Sequence, residues 1–341
     1  MKKKEITLLE REEISILLFQ NWTIKDIAYY LEKDESTIYR EITRAQMNRY
    51  SYDPYRANKE ARKLKKNQGR KKKITGNKEL EQFVLEKLRL RWSPQEIAKE
   101  LKKIYTKNKS MNISHETIYT YVYVLGRGSL KKELLSCLRQ QKIYRRKKGK
   151  NQPRNDEKRG QIADMLSIEE RPKEVEDRII PGHWEGDLII GKYKRSALGT
   201  LVERTTRATL LVPLKTKDAV AVRKAFARKV KKLPNEMRLS LTYDQGKEMT
   251  EHKLFTKQTK MIVYFAHPGS PWERGTNENT NGLIRQFFPK GTEFDKISNK
   301  EIKHVQDLLN GRPRRALDYR KPFEVFDELV SKINNQVAIE T

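Results

Sequence analysis

HWEGDLIIGK, residues 183–192, is the stretch that decides the fold of this chain. Trp184 and the run Leu188-Ile189-Ile190 mark a buried strand, yet Asp187 stands in its middle. A carboxylate inside an apolar strand is costly to bury unless it is paired or binds a metal. Downstream, residues 197–204 (ALGTLVER) and 207–214 (ATLLVPLK) read as two further strands, and the Thr205-Thr206 link predicts an antiparallel hairpin. The period then becomes helical over Asp218–Lys232, with Val220, Val222, Phe226 and Val230 near one face. Residues 239–244 (LSLTYD) predict a fourth strand and 247–258 a helix. Residues 261–266 (MIVYFA) predict a fifth strand, and 272–287 a helix despite Gly275 and Gly282.

Three antiparallel strands, then helix, strand, helix and strand, is the order of an RNase H-like domain, a mixed α/β sheet with helices on its faces. In that arrangement the first and fourth strands lie side by side at the sheet centre. Asp187 would then come close to Asp244, which ends the fourth strand ahead of Gln245-Gly246. The helix entered through Ser270-Pro271-Trp272 carries Glu278, with Gly282 and Arg285 following on the same face; Gly282 is expected to let this helix approach the sheet. Carboxylates about 4 Å apart repel by roughly 4 kcal/mol per pair at an effective dielectric near 20, so a cluster of three makes sense with divalent cations between them. All-oxygen ligation selects Mg²⁺ or Mn²⁺ over zinc, and two such ions serve phosphodiester chemistry by activating the attacking oxygen and stabilising the leaving one. Singly, these residues have plainer explanations: an Asp ending a strand commonly caps a turn, and a Glu near Arg274 is commonly half of a surface ion pair. Glu185 shares Asp187's strand face, and Glu273 lies within one turn of Glu278. Patterning alone does not choose between Glu278 and Glu273.

The first half of the chain is helical and basic. Thr7 is a plausible cap for a helix over 7–20, Thr23 for Ile24–Leu31, and a turn at Lys33-Asp34 leads to Glu35–Arg44. Three short helices with a tight turn between the last two fit a helix-turn-helix, in which Ile38 and Ile42 face the core and Ser36, Thr37, Arg40 and Arg44 are left for DNA. Ile27-Ala28-x-x-Leu31 followed by Thr37-Ile38-Tyr39 recurs as Ile97-Ala98-x-x-Leu101 followed by Thr117-Ile118-Tyr119, with a turn ten residues longer. Residues 78–123 therefore read as a second, looser helix-turn-helix, with Ser114, His115 and Thr117 as its DNA-facing candidates. The organisation expected is a helix-turn-helix domain over 1–50, a basic linker over 51–77, a second helix-turn-helix domain over 78–135, a basic linker over 136–177 and the RNase H-like catalytic domain over 178–341. The basic runs at 62–73 and 142–150 are expected to be solvated and to touch phosphates without specificity.

Composition narrows the field in the same direction. The net charge is +29, of which residues 1–150 carry +20. Such an excess draws in a polyanion, and DNA or RNA is the commonest. Cys137 is the only cysteine, which excludes an internal disulfide and a cysteine-rich zinc site. No run approaches a membrane span, and the Met-Lys-Lys-Lys start lacks a signal peptide's apolar core. A cytoplasmic protein working on nucleic acid is the expectation.

Several segments together resemble the IS-thirty family of bacterial insertion-sequence transposases. They are WSPQEIA at 92–98, EERPKEVEDR at 169–178, PGHWEGDLIIG at 181–191, TYDQGKE at 242–248, SPWERGTNENTNGLIRQFFPKGTEF at 270–294 and NGRPRRALDYRKPFEVF at 310–326. The resemblance implies a catalytic and metal-binding triad of Asp187, Asp244 and Glu278. The 33 residues between the last two match the family's spacing and favour Glu278 over Glu273. It implies Mg²⁺, with Mn²⁺ able to replace it, as two ions per active site. It also implies binding to the element's terminal inverted repeats and to target DNA, a homodimer or higher oligomer on DNA, and a bacterial protein associated with the nucleoid. Arg285 and Lys290, with Arg312, Arg314 and Arg315, are the candidates for backbone contacts. Two departures are visible: Gln245 stands where the family often has Asn, and Glu273 where it often has Gln. The competing readings are a DNA-binding regulator without catalysis, a metal-dependent nuclease without strand transfer, and a structural nucleoid protein.

Overall fold

Thr7 opens the first helix through a reciprocal cap, its hydroxyl accepting from the Glu10 amide while the Glu10 carboxylate accepts from the Thr7 amide. The computed structural model describes residues 5–67, 73–125, 128–139 and 162–340, and the chain divides into two units, Met1–Lys72 and Lys73–Thr341. In the first unit α1 (Leu8–Phe19), α2 (Ile24–Tyr30) and α3 (Glu35–Ile42) enclose Ile14, Leu18, Ile27, Ile38 and Ile42. Glu41 is buried under them between Arg11 (2.8 Å) and Arg44 (2.9 Å). The linker expected over 51–77 differs: Pro54–Asn67 forms a helix, α4, against α1, with Ala57 fully buried and the Tyr55 hydroxyl donating to Glu12. Its Lys- and Arg-rich surface hides a helix that needs little apolar area to dock. Residues 68–72 of the first basic run, and the whole run at 142–150, lie outside the described residues.

The second unit begins with four helices: α5 (Lys78–Arg89), α6 (Pro94–Ile104), α7 (His115–Val124) and α8 (Ser129–Cys137). Ser93 and Glu96 make a capping box with Pro94 in the first turn of α6. Ile97 and Ile118 are fully buried, as are Ile27 and Ile38 in the first unit, so the repeated sequence serves the same packing in both.

The sheet holds β1 (Leu166–Ser167), β2 (His183–Ile190), β3 (Ala197–Glu203), β4 (Thr209–Leu214), β5 (Ser240–Tyr243) and β6 (Ile262–Phe265), in the order β1-β6-β5-β2-β3-β4. The β2–β3 and β3–β4 pairs are antiparallel and the others parallel, as the RNase H-like reading requires. β1 was not anticipated; it falls inside the linker expected over 136–177, and two residues are too short to show an alternation. Arg171, just beyond it, is buried and donates to the Thr242 hydroxyl (3.1 Å), so the sheet domain starts before residue 178. One face of the sheet packs on α9 (Ala219–Val230) and α10 (His252–Thr259), through Trp184, Leu201, Leu241 and Tyr243 against Val222, Phe226 and Phe255. The other packs on α11 (Gly275–Ile284) and α12 (Asn299–Asn310), through Ile189, Leu198 and Leu211 against Leu283, Ile284 and Ile302. α12 also covers the β4 edge, where Gln306 accepts from the Leu211 amide and Asn310 both accepts from and donates to the backbone of Thr209. α13 (Pro322–Glu340) ends the chain's described part, and among the described residues no helix is long and apolar enough to cross a membrane.

Candidate active site

Strand register brings the two aspartates together. β2 and β5 run parallel with Trp184 beside Leu241 and Glu185 beside Thr242. Two residues further along this register come Asp187, in the middle of β2, and Asp244, just past the end of β5. Gly186 permits the close pairing, since a Cβ there would stand 2.7 Å from the Tyr243 ring. Arg274, in the turn before α11, spans both carboxylates: Nη1 lies 3.5 Å from Asp187 and donates to the Gly186 carbonyl (2.9 Å), and Nη2 lies 3.3 Å from Asp244. Asp187 also accepts from Asn281 Nδ2 (2.7 Å) and from the Leu188 amide (2.9 Å). Burial raises the Asp187 carboxyl above its ordinary value; Arg274 pulls it down and the Asp244 charge pushes it up.

One buried side chain, Asn277, ties α11 to β2 and β3 by hydrogen bonds. Asn277 donates its amide to the Glu185 carboxylate and its Nδ2 to the Glu185 carbonyl, both at 2.8 Å, and accepts from the Thr200 hydroxyl (3.0 Å). Glu185 is therefore a structural carboxylate. Glu273 is committed as well, accepting from the His267 amide (2.7 Å) and contacting the His267 ring (2.8 Å). Glu278 is exposed, one turn before Asn281. Among the described residues no three His, Cys, Asp or Glu are gathered as a metal site, so the structure joins Asp187 to Asp244 and leaves Glu278 apart. Gly282 does not face the sheet as expected: a Cβ there would meet the Arg139 guanidinium at 3.2 Å. Glu278 is itself exposed, and the position four residues on shares its outward face, so Asn281 meets the sheet instead.

Sequence reasoning missed Arg274, Asn281 and Glu248. The Glu248 carboxyl is raised by burial and by the charges of Asp244 and Asp187, and it fills the space a side chain at Gly246 would need (2.5 Å). Its signal was present as the carboxylate four residues after Asp244. Arg274 and Asn281 follow only from knowing which face of α11 meets β2.

The DNA-facing candidates divide by how their groups are spent. Ser36 and Arg40 are exposed on α3, joined by a hydrogen bond (3.2 Å), with Thr37 half-buried beside them. The exposed Tyr39 belongs to the same surface. Arg44 pairs with buried Glu41. Ser114 and Thr117 share a hydrogen bond as the cap of α7, and His115 lies 3.3 Å from Glu116. Arg285 donates to the carbonyls of Ile190 and Pro289, whereas Lys290 is exposed. Arg312 is buried against Glu96 (2.8 Å) and Gln286 (2.9 Å), and Arg314 is buried with Nη2 on the Leu309 carbonyl.

Residues 2–45 match the helix-turn-helix domain model and residues 178–271 the integrase core domain model. The transposase for insertion sequence element IS1086 of Cupriavidus metallidurans is 39% identical, over 99% of this chain and 99% of that protein. The transposase InsI for insertion sequence element IS30A of Escherichia coli K12 is 40% identical, over 96% of this chain and 84% of that protein. The transposase for insertion sequence element IS4351 of Bacteroides fragilis is 35% identical over 98% of both. Among solved structures, the catalytic core of BIV integrase aligns with TM-score 0.35 and 15% identity, covering 45% of this chain and 98% of that core. By sequence along nearly its whole length, the chain belongs to the IS30 family of insertion-sequence transposases.

Proposed function

We propose that this DNA transposase binds the terminal inverted repeats of its own element through its helix-turn-helix region and cuts and joins strands at Asp187, Asp244 and Glu278. The observation that carries the reading is that a single arginine, Arg274, reaches both Asp187 and Asp244 across the parallel strands β2 and β5, with Glu278 on the helix that follows it. The donors are all oxygen, and Asn281 Oδ1, beside Asp187, is buried without a hydrogen-bond partner among the described residues, which suits a hard divalent cation. Asp187, Asp244 and Glu278 would hold two Mg²⁺ ions, or Mn²⁺ in their place, which would supply activation of the attacking oxygen and stabilisation of the leaving one.

The chain's own groups do the positioning. Asn281 and the Leu188 amide fix the Asp187 carboxylate, and Asn277 fixes the helix carrying Glu278. Arg274, whose Nε has no partner among the described residues, offers positive charge to a phosphate entering between the aspartates. In the first step a water oxygen bonds to phosphorus, the bond to the 3′ oxygen breaks, and that oxygen takes a proton, leaving a 3′-hydroxyl at the element end. In the second step this oxygen bonds to another phosphorus and displaces its 3′ oxygen. One P–O bond forms for each that breaks, so no external energy source enters. Joining two ends brings two active sites together, hence a homodimer or larger assembly.

The test is wild-type protein with labelled element-end DNA and Mg²⁺, read for nicked and joined product. Binding without product favours the regulator. Nicking with no joining of a pre-cut end favours the nuclease.

A further inference from the structure

A second cationic feature lies on the opposite side of α11 from the aspartates. A cleft of about 1180 Å³ opens where α6, α7 and the residues just after α8 meet the sheet domain, and Arg139, Arg178, Arg207, Arg312, Arg314 and Arg315 line it. Only Arg312 among these has an ion-pair partner among the described residues, Glu96. Thr276 and Asn279 of α11 hold two of the others in place: Arg207 Nη1 donates to the Thr276 hydroxyl (2.6 Å) and Arg139 Nη2 to Asn279 Oδ1 (2.8 Å). Arg314 is 8% exposed, and its Nε has no acceptor among the described residues; nor has Arg207 Nε. Burial and the charges of Arg312, Arg139 and Arg207 push the Arg314 guanidinium down to about 9.

Guanidinium groups crowded into a partly buried cleft repel one another, and donors left without acceptors cost further free energy. An anion along the cleft reverses both costs, and planar forked donors match phosphate oxygens. The cleft-lining positions Thr276, Asn279 and Thr280 lie on a different side of the helix from Asn277 and Asn281, which bond to the sheet. Glu278 falls between the two sets, so a backbone lying in the cleft passes within about one turn of it. A series of arginines flanking one helix fits a repeating anion better than a single carboxylate.

We propose that this cleft is a channel for DNA backbone, holding the strand that adjoins the reacting phosphodiester through Arg139, Arg178, Arg207 and Arg315. It rests on the reading that strand cleavage occurs at the aspartates on the other side of α11.

The test is equilibrium binding of full-length protein to labelled element-end duplex over a salt series in EDTA, where no cleavage intervenes. Arg178 and Arg315 are exposed and unpaired among the described residues, so the Arg178→Gln/Arg315→Gln variant should fold as wild type. Its log K against log salt slope should be shallower by about 1.8, at roughly 0.9 per lost phosphate contact, with affinity down about fivefold per arginine at 0.15 M salt. The control Lys231→Gln/Lys257→Gln removes the same charge from exposed sites outside the cleft and should keep the wild-type slope. A wild-type slope in the arginine variant, or an equal loss in both variants, overturns the proposal. Either result leaves end joining to be judged separately, because a failed catalytic reading appears only as absence of product with Mg²⁺.

Discussion

Replacing Arg312 with Met separates a structural arginine from a DNA-binding one. The Arg312 side chain is 3% exposed and its Glu96 partner 13%, at 2.8 Å, with Gln286 accepting a second bond. Breaking a buried pair by removing one partner typically costs about 3–5 kcal/mol, because the remaining charge is left uncompensated. Glu96 keeps its bond from the Ser93 amide and some solvent contact, so the lower part of that range applies, about 3 kcal/mol. For a unit of this size that corresponds to a fall in Tm of roughly 6–12 °C. The assay is thermal unfolding of wild type, Arg312→Met, Glu96→Gln and the double variant. A coupling of about 1.5 kcal/mol or more between the two sites is expected of a buried contact. The salt slope of DNA binding should stay at the wild-type value. A loss below about 1 kcal/mol with no coupling, together with a slope shallower by about 0.9, would refute the reasoning and place Arg312 on a phosphate.

Two further outcomes follow from the buried polar groups. Burial, with Arg204 and Arg171 nearby, pushes the His183 imidazole down to about 4 from an ordinary 6.5, and the ring rests against Ser240. The unfolded chain takes up that proton first, so this contribution is complete above pH 6.5 and lost as pH falls toward 4; pH-dependent melting should be flatter over that window in His183→Asn. Asn277→Ala removes the fastening between α11 and the sheet; end nicking should drop on the order of tenfold or more while end binding in EDTA is unchanged. Parallel loss of binding would instead mean general unfolding.

The central sheet was legible because its strands carry strong local signals. Trp184, Leu188 and Ile189 alternate across two packed faces, and β3 and β4 are near-continuous apolar runs. Asp187 and Asp244 were legible for the same reason, since a fixed strand order sets their spacing. What escaped depends on tertiary contact. α4 is too charged to look like a packed helix, and β1 too short to look like a strand. Arg312 and Arg314 look like DNA ligands in an arginine-rich stretch, and only folding shows them buried. Patterning likewise could not set Glu273 aside; its bonds to His267 do.

Glu278 is the member of the proposed triad that no strand positions. The decisive measurement is joining of a pre-cut, labelled element end by Glu278→Gln in Mg²⁺, beside wild type and with end binding measured on the same preparations. Full binding with no joined product is expected. Joining at the wild-type rate would contradict it, and would turn attention to Glu248, whose carboxylate already feels both aspartates.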